Sequence, residues 1–132
     1  MTKKFILIGL IFVTIAIILG AIGAHYLENI GILQEQISSF EVGVRYLFYN
    51  GLGALAIAGI ASHFDFELRA QYRAILWGAV LFSGSIFLLV LTPVWGLEIN
   101  RFLGPVTPIG GFILIFGWLT LTVKFIRTFR TE

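Results

Sequence analysis

Residues 5–24, 46–62, 74–97 and 102–123 form four stretches without a single charged side chain. A helix needs about 20 apolar residues to cross a hydrocarbon layer about 30 Å thick. Three of the stretches meet that length. The second is shorter, but the pattern before it indicates a helix that begins upstream. No other feature limits the possible folds as sharply. Composition agrees: 58% of the 132 residues are hydrophobic and 12% are charged, with a mean hydropathy of +0.97. An ordinary soluble domain is about 45–50% apolar and about 25% charged, and one of this size leaves roughly a third of its unfolded surface wet. A soluble globule and a disordered chain are both excluded. The expected fold is all-α: an integral membrane four-helix bundle, with 1–132 as one transmembrane domain.

The first run follows Lys3 and Lys4 and ends in small residues, as a signal peptide does. It is longer than a usual signal core, so it reads as a true span. Charge then sets the orientation. With both termini cytoplasmic, Lys3, Lys4, Arg69, Arg73, Lys124, Arg127 and Arg130 lie inside, while Arg45 and Arg101 lie outside. Short loops obey the positive-inside rule, and this split is decisive for the expectation. Tyr26, Tyr46 and Trp95 fall at the outer interface, Tyr72 and Trp77 at the inner one.

Between the first two runs, Ile37, Phe40, Val44, Leu47 and Phe48 recur at helical spacing, with Glu35, Gln36, Ser39 and Glu41 on the other side. This predicts an amphipathic helix at the outer interface that continues as the second span. Glu41 and Arg45 are spaced as a same-face ion pair, and replacing Arg45 by Ala is expected to harm folding or assembly more than replacing Arg101. Helices in lipid associate by close packing and polar contacts, and small residues mark the seams. Ala16, Gly20 and Ala24 form one ridge. Asn50, Ala54, Ala58 and Ser62 form a second, flanked by Gly51 and Gly59. Ala79 and Ser83 continue on the third span, and Gly110, Gly111 and Gly117 lie on the fourth. Thr107 before Pro108 predicts a capped helix start at Pro108. The two halves share no spacing, which argues against an inverted-repeat transporter.

Polar groups at membrane depth are the place to look for function. The candidates are His25, Glu41, Arg45, Asn50, Ser83, Ser85 and Thr107. Most of them gather toward the outer face, as a ligand pocket or as a hydrogen-bonded latch between helices. Cysteine is absent, so thiolate chemistry is excluded. His25 and His63 belong to opposite faces and cannot pair on a haem or metal. Ser83 and Ser85 lie turns away from His25, the available base. Asp65, Glu67, Arg69 and Arg73 read as a solvated turn. The expectation is no catalytic set, no metal and no cofactor. Dispersed basic residues also exclude nucleic acid, although the net charge is +2.

Four strings then carry a resemblance: Gly20-Ala-Ile-Gly-Ala-His25, Phe40-Glu-Val-Gly-Val-Arg-Tyr46, Phe82-Ser-Gly-Ser85, and Thr107-Pro-Ile-Gly-Gly111 with Gly117-Trp118. In order and spacing the chain resembles domain-of-unknown-function family 423, small bacterial membrane proteins related to the eukaryotic transmembrane protein 256. The resemblance implies a four-helix protein of the bacterial inner membrane and brings no established activity. Many members resemble Tyr-Gln-x-x-His where this chain has Tyr46-Leu-Phe-Tyr-Asn50, so Asn50 replaces a histidine. Its amide can still hydrogen bond to His25 or Ser83, which favours a structural part. The expected role is a non-enzymatic accessory or scaffolding element of an inner-membrane assembly, in contact with membrane lipids and with other subunits or itself. The alternative is a lipid- or quinone-binding protein or small carrier built on the outer polar cluster.

Overall fold

The computed structural model describes residues 1–64 and 67–130. Asp65, placed in the predicted turn, lies outside them. Six helical elements follow one another: α1 (Thr2–Asn29), α2 (Gln34–Ala61), α3 (Arg69–Leu91), a 3-10 turn (Thr92–Trp95), the short α4 (Asn100–Leu103) and α5 (Val106–Phe129). Four helical segments are long and apolar enough to cross a membrane, and among the described residues there is no strand. In lipid the backbone must satisfy its own hydrogen bonds, and a helix does so within one segment. The chain is an integral membrane four-helix bundle.

The helices outrun the apolar stretches. At 28 residues each, α1 and α2 are about 42 Å long, more than the hydrocarbon thickness. The amphipathic segment and the second span form one unbroken helix, and Ile37, Phe40 and Leu47 on its apolar side are buried. A tight turn reverses the chain after α1. Gly31 takes φ +81°, the Gly31 amide donates to the Glu28 carbonyl, and the Ile32 amide donates to the Leu27 carbonyl. This is a Schellman closure, which needs a residue at ease with positive φ. The accompanying hydrophobic contact is present too, since Ile32 packs on the buried Leu27 cluster. The third run is cut at Leu91, because Pro93 has no amide to continue the ladder. A second closure of the same type follows at Gly96 (φ 72°).

The fourth span begins earlier than Thr107 and Pro108 predict. Its first helical residue is Val106, and no side chain caps it. First-turn amides have no intrahelical acceptor in any case, so Pro108 fits within the first turn. The Thr107 hydroxyl is thereby free to bond elsewhere. At the other end α5 runs past its apolar stretch through Lys124 and Arg127 to Phe129, where cations favour a helix C-terminus.

The closest backbone contacts pair α1 with α2 and α3 with α5; α2 and α3 join the two hairpins less extensively. Core side chains stack in three levels along the bundle. Phe5, Ile57, Leu68 and Ile75 lie nearest the end where α1 and α3 begin. Phe12, Ala16, Leu47, Ala79 and Leu114 lie in the middle, and Leu27, Phe40 and Val90 at the far end. The small-residue seams are partly rotated from the predicted ridges. On α1 the inward line is Phe5, Gly9, Phe12, Ala16 and Gly23; Gly20 is at its edge and Ala24 is exposed. On α2, Asn50, Gly51, Ala54 and Ala58 face inward, while Gly59 and Ser62 do not. Ala79, Ser83, Gly110 and Gly117 are buried as expected.

Candidate functional site

The predicted polar cluster does not exist as one site. Its members divide into three separate interhelical contacts and a set of exposed side chains. The deepest contact centres on Asn50, which is 5% exposed and lies within a turn of the middle of α2. Its Nδ2 donates to the Tyr46 carbonyl one turn back at 2.8 Å. Its Oδ1 accepts from the Trp118 indole Nε1 at 2.8 Å, and Trp118 is at the middle of α5. A buried indole N–H seeks an acceptor, and the asparagine carbonyl supplies it across the helix interface. Asn50 thus bonds neither of the partners that the sequence offered it, His25 and Ser83. His25 is exposed near the end of α1.

Ser83 makes the second contact. It is 1% exposed, and its hydroxyl donates at 2.8 Å to the carbonyl of Gly43 on α2. Gly43 permits this approach: a Cβ there would stand 2.8 Å from the Phe87 ring. The third contact joins Ser85 and Thr107, whose hydroxyl oxygens are 2.6 Å apart. Ser85 also donates to the Phe82 carbonyl at 3.0 Å, which leaves Thr107 as the donor of the shared bond. Three pairs of helices are stitched in this way: α2 to α5, α2 to α3, and α3 to α5.

Glu41 and Arg45 do not pair. Both are exposed, and the ion pair found among the described residues is Glu67 with Arg69 at 3.3 Å. With Gly20, Gly23 and Ala24 they line a hollow of about 220 Å³ between α1 and α2. A larger groove of about 590 Å³ opens between α2, α3 and α5, walled by Tyr46, Tyr49, Phe82 and Leu119, with Asn50 and Trp118 among its lining. The Tyr46 and Phe82 rings approach to 5.1 Å, so Tyr46 belongs to this groove rather than to an aromatic belt alone. Among the described residues, no group of three His, Cys, Asp or Glu side chains comes together to hold a metal ion. The three contacts contain amides, hydroxyls and an indole, all neutral near pH 7. Their chemistry is hydrogen bonding.

Trp118 is the residue that the candidate set lacked. Its signal was present: tryptophan favours membrane interfaces, so one placed midway along an apolar run needs a polar partner at that depth.

The sequence matches a family profile. Residues 19–111 fit the family described as "Protein of unknown function (DUF423)". The chain belongs to the DUF423 family. Relatives extend the likeness to nearly the whole chain. A UPF0382 membrane protein of Staphylococcus saprophyticus is 37% identical over 92% of this chain and 95% of its own length. The UPF0382 membrane protein YwdK of Bacillus subtilis is 32% identical over 95% of this chain and 98% of its own. A UPF0382 membrane protein of the fission yeast Schizosaccharomyces pombe is 33% identical over 80% and 86%, respectively. No solved structure matches. The family is thus the one to which the four sequence strings point, and the relatives are named as membrane proteins without an activity.

Proposed function

We propose that this chain is a non-enzymatic, multi-pass accessory or scaffolding component of an assembly in the bacterial cytoplasmic membrane, with both termini on the cytoplasmic side. One observation carries the reading: of the polar side chains predicted as a site, the buried Asn50, Ser83 and Ser85 and the half-buried Thr107 are engaged in bonds that hold helices together. A hydroxyl held against a carbonyl or another hydroxyl, with no base beside it, is not arranged as a nucleophile. The outward face of α5 is rich in large apolar groups, with Phe112 73% and Phe116 60% exposed, and suits contact with lipid or another membrane subunit.

Extraction into polymer-bounded nanodiscs followed by native mass spectrometry tests the role. Co-isolation of a membrane subunit, or of a defined oligomer, supports it; a lone chain in every preparation overturns it. Because the chain has no cysteine, single cysteines placed at Lys3 and Arg130 report orientation by labelling. Reaction from opposite sides of the membrane refutes the topology.

A second reading is favoured by the groove beside Asn50 and Trp118, whose volume of about 590 Å³ is of ligand size. An apolar molecule with one polar group, such as a lipid or quinone, fits its aromatic walls. A retained small molecule that is lost in Asn50→Leu supports this reading over the first.

A further inference from the structure

The helices α1 and α3 run parallel, and their N-terminal ends meet around a hollow of about 300 Å³ lined by Met1, Lys4, Arg69, Tyr72 and Arg73. Three of these five side chains are cationic, and among the described residues no carboxylate lines the hollow. Beside it, the edge-to-face stack of Phe5 on Tyr72, with centroids 5.3 Å apart at 87°, ties the two helices together. Glu67 meets Arg69 at 3.3 Å, but the two side chains are 74% and 73% exposed, so solvent screens the pair. Neither α1 nor α3 has an acidic residue in its first turn or a side-chain cap. Their unpaired first-turn amides add positive potential at the same end.

We propose that this hollow binds the phosphate headgroup of an anionic membrane phospholipid. Depth supports a lipid over a free anion. Lys4 directly precedes the apolar run that starts at Phe5, and Arg73 directly precedes the one that starts at Ala74. Both cations therefore stand where hydrocarbon gives way to headgroups. An apolar path leads away from each. On α3, Trp77, Val80 and Leu88 follow Arg73 along one exposed stripe, and on α1, Leu7, Ile11, Ile15 and Ile18 follow Lys4. At spacings of three and four, with one step of two turns from Val80 to Leu88, these residues share the face of the cation above them. A phosphate held by Lys4, Arg69 and Arg73 places its acyl chains on these stripes, whereas inorganic phosphate leaves them unused. Basic pockets between membrane helices recognise lipid headgroups by this chemistry. The assignment requires that the chain span a membrane; it stands or falls apart from the accessory role.

The test compares lipid retention by native mass spectrometry from nanodiscs of equimolar phosphatidylcholine and phosphatidylglycerol. The wild-type chain is expected to retain phosphatidylglycerol preferentially. Each cation removed should weaken retention about fivefold, so Lys4→Gln with Arg73→Gln should lower it about 25-fold. Arg101→Gln, at the other end of the bundle, should change nothing, and the charge-conserving Lys4→Arg with Arg73→Lys should restore most of the preference. Equal retention of the two lipids by the wild type, or undiminished preference in the doubly neutralised variant, overturns the proposal. In detergent, phosphatidylglycerol should raise the melting temperature while inorganic phosphate does not. Equal stabilisation by the two overturns the lipid assignment in favour of a soluble anion.

Discussion

The two helical hairpins are held by different means. In α1–α2 the backbones touch. A Cβ on Gly9 would stand 2.9 Å from the Gly51 carbonyl oxygen, and one on Gly51 would stand 3.0 Å from the Val13 amide nitrogen. Among the described residues, no hydrogen bond from an α1 side chain reaches another helix. In α3–α5 the backbones also touch: a Cβ on Gly78 would stand 2.8 Å from the Leu114 amide nitrogen, and one on Gly110 would collide with the backbone at Phe82. Here, however, the Ser85–Thr107 bond is added, and α5 is tied to α2 through Trp118 and Asn50. One hairpin rests on shape alone; the other combines shape with polar latches. Close packing is thus common to both hairpins, and the polar latches are added to it in one. This accords with lipid as solvent, where water exclusion between helices vanishes and close packing does most of the work.

Substitutions can break this contrast. The largest loss is expected from Gly110→Leu, which has backbone rather than a flexible side chain in its way; more than about 3 kcal/mol should go, beyond the usual overpacking range. Thermal unfolding in mild detergent, followed by size-exclusion profile, reads it. Gly51→Leu should separate α1 from α2 at a cost of about 1–3 kcal/mol, and cross-linking between cysteines on the two helices should fall with it. Near-wild-type stability in both variants would refute the steric account.

The polar latches come next. Asn50→Leu should cost about 1 kcal/mol, within the range for interhelical bonds in lipid. Trp118→Phe should cost a similar amount, and the double variant less than their sum, because they share one bond. Additive losses would mean that the bond contributes nothing. Ser85→Ala and Thr107→Val should each cost about 0.6 kcal/mol and be likewise non-additive. Matching changes on the first hairpin sharpen the comparison: His25→Gln and Glu41→Gln should leave the melting curve unmoved.

Smallest of all is the effect of the outer arginines. The sequence reading expects Arg45 to matter more to folding or assembly than Arg101. In the structure both arginines are exposed, and among the described residues neither makes an ion pair. Arg45→Ala and Arg101→Ala should therefore agree within about 0.5 kcal/mol.

Much of the fold was legible without coordinates. Runs of uncharged residues marked the spans, and the periodicity from Ile37 to Phe48 correctly joined the amphipathic segment to the second span. The candidate site was less legible. The sequence names Ser83, Ser85, Thr107 and Asn50 as polar groups within or near the apolar runs, but it does not name their partners. Ser83 bonds a backbone carbonyl, which every residue possesses and no motif advertises. Asn50 bonds a tryptophan 68 positions away, and its distance from His25 depends on how α1 is rotated. The rotation itself was hidden, as the displaced ridge at Gly20 and Ala24 shows.

Local composition alone determined that this chain forms four long apolar helices, because hydrocarbon tolerates no unpaired backbone and few charges. It could not determine which side of each helix turns inward. In water a buried face is apolar and the opposite face polar, so the sequence betrays it. Here Phe5 is fully buried and Phe112 is 73% exposed, yet both suit lipid equally. Only the fit of one helix surface against another, Gly9 on Gly51 and Gly110 on Phe82, selected the inward faces and thereby brought Asn50 to Trp118.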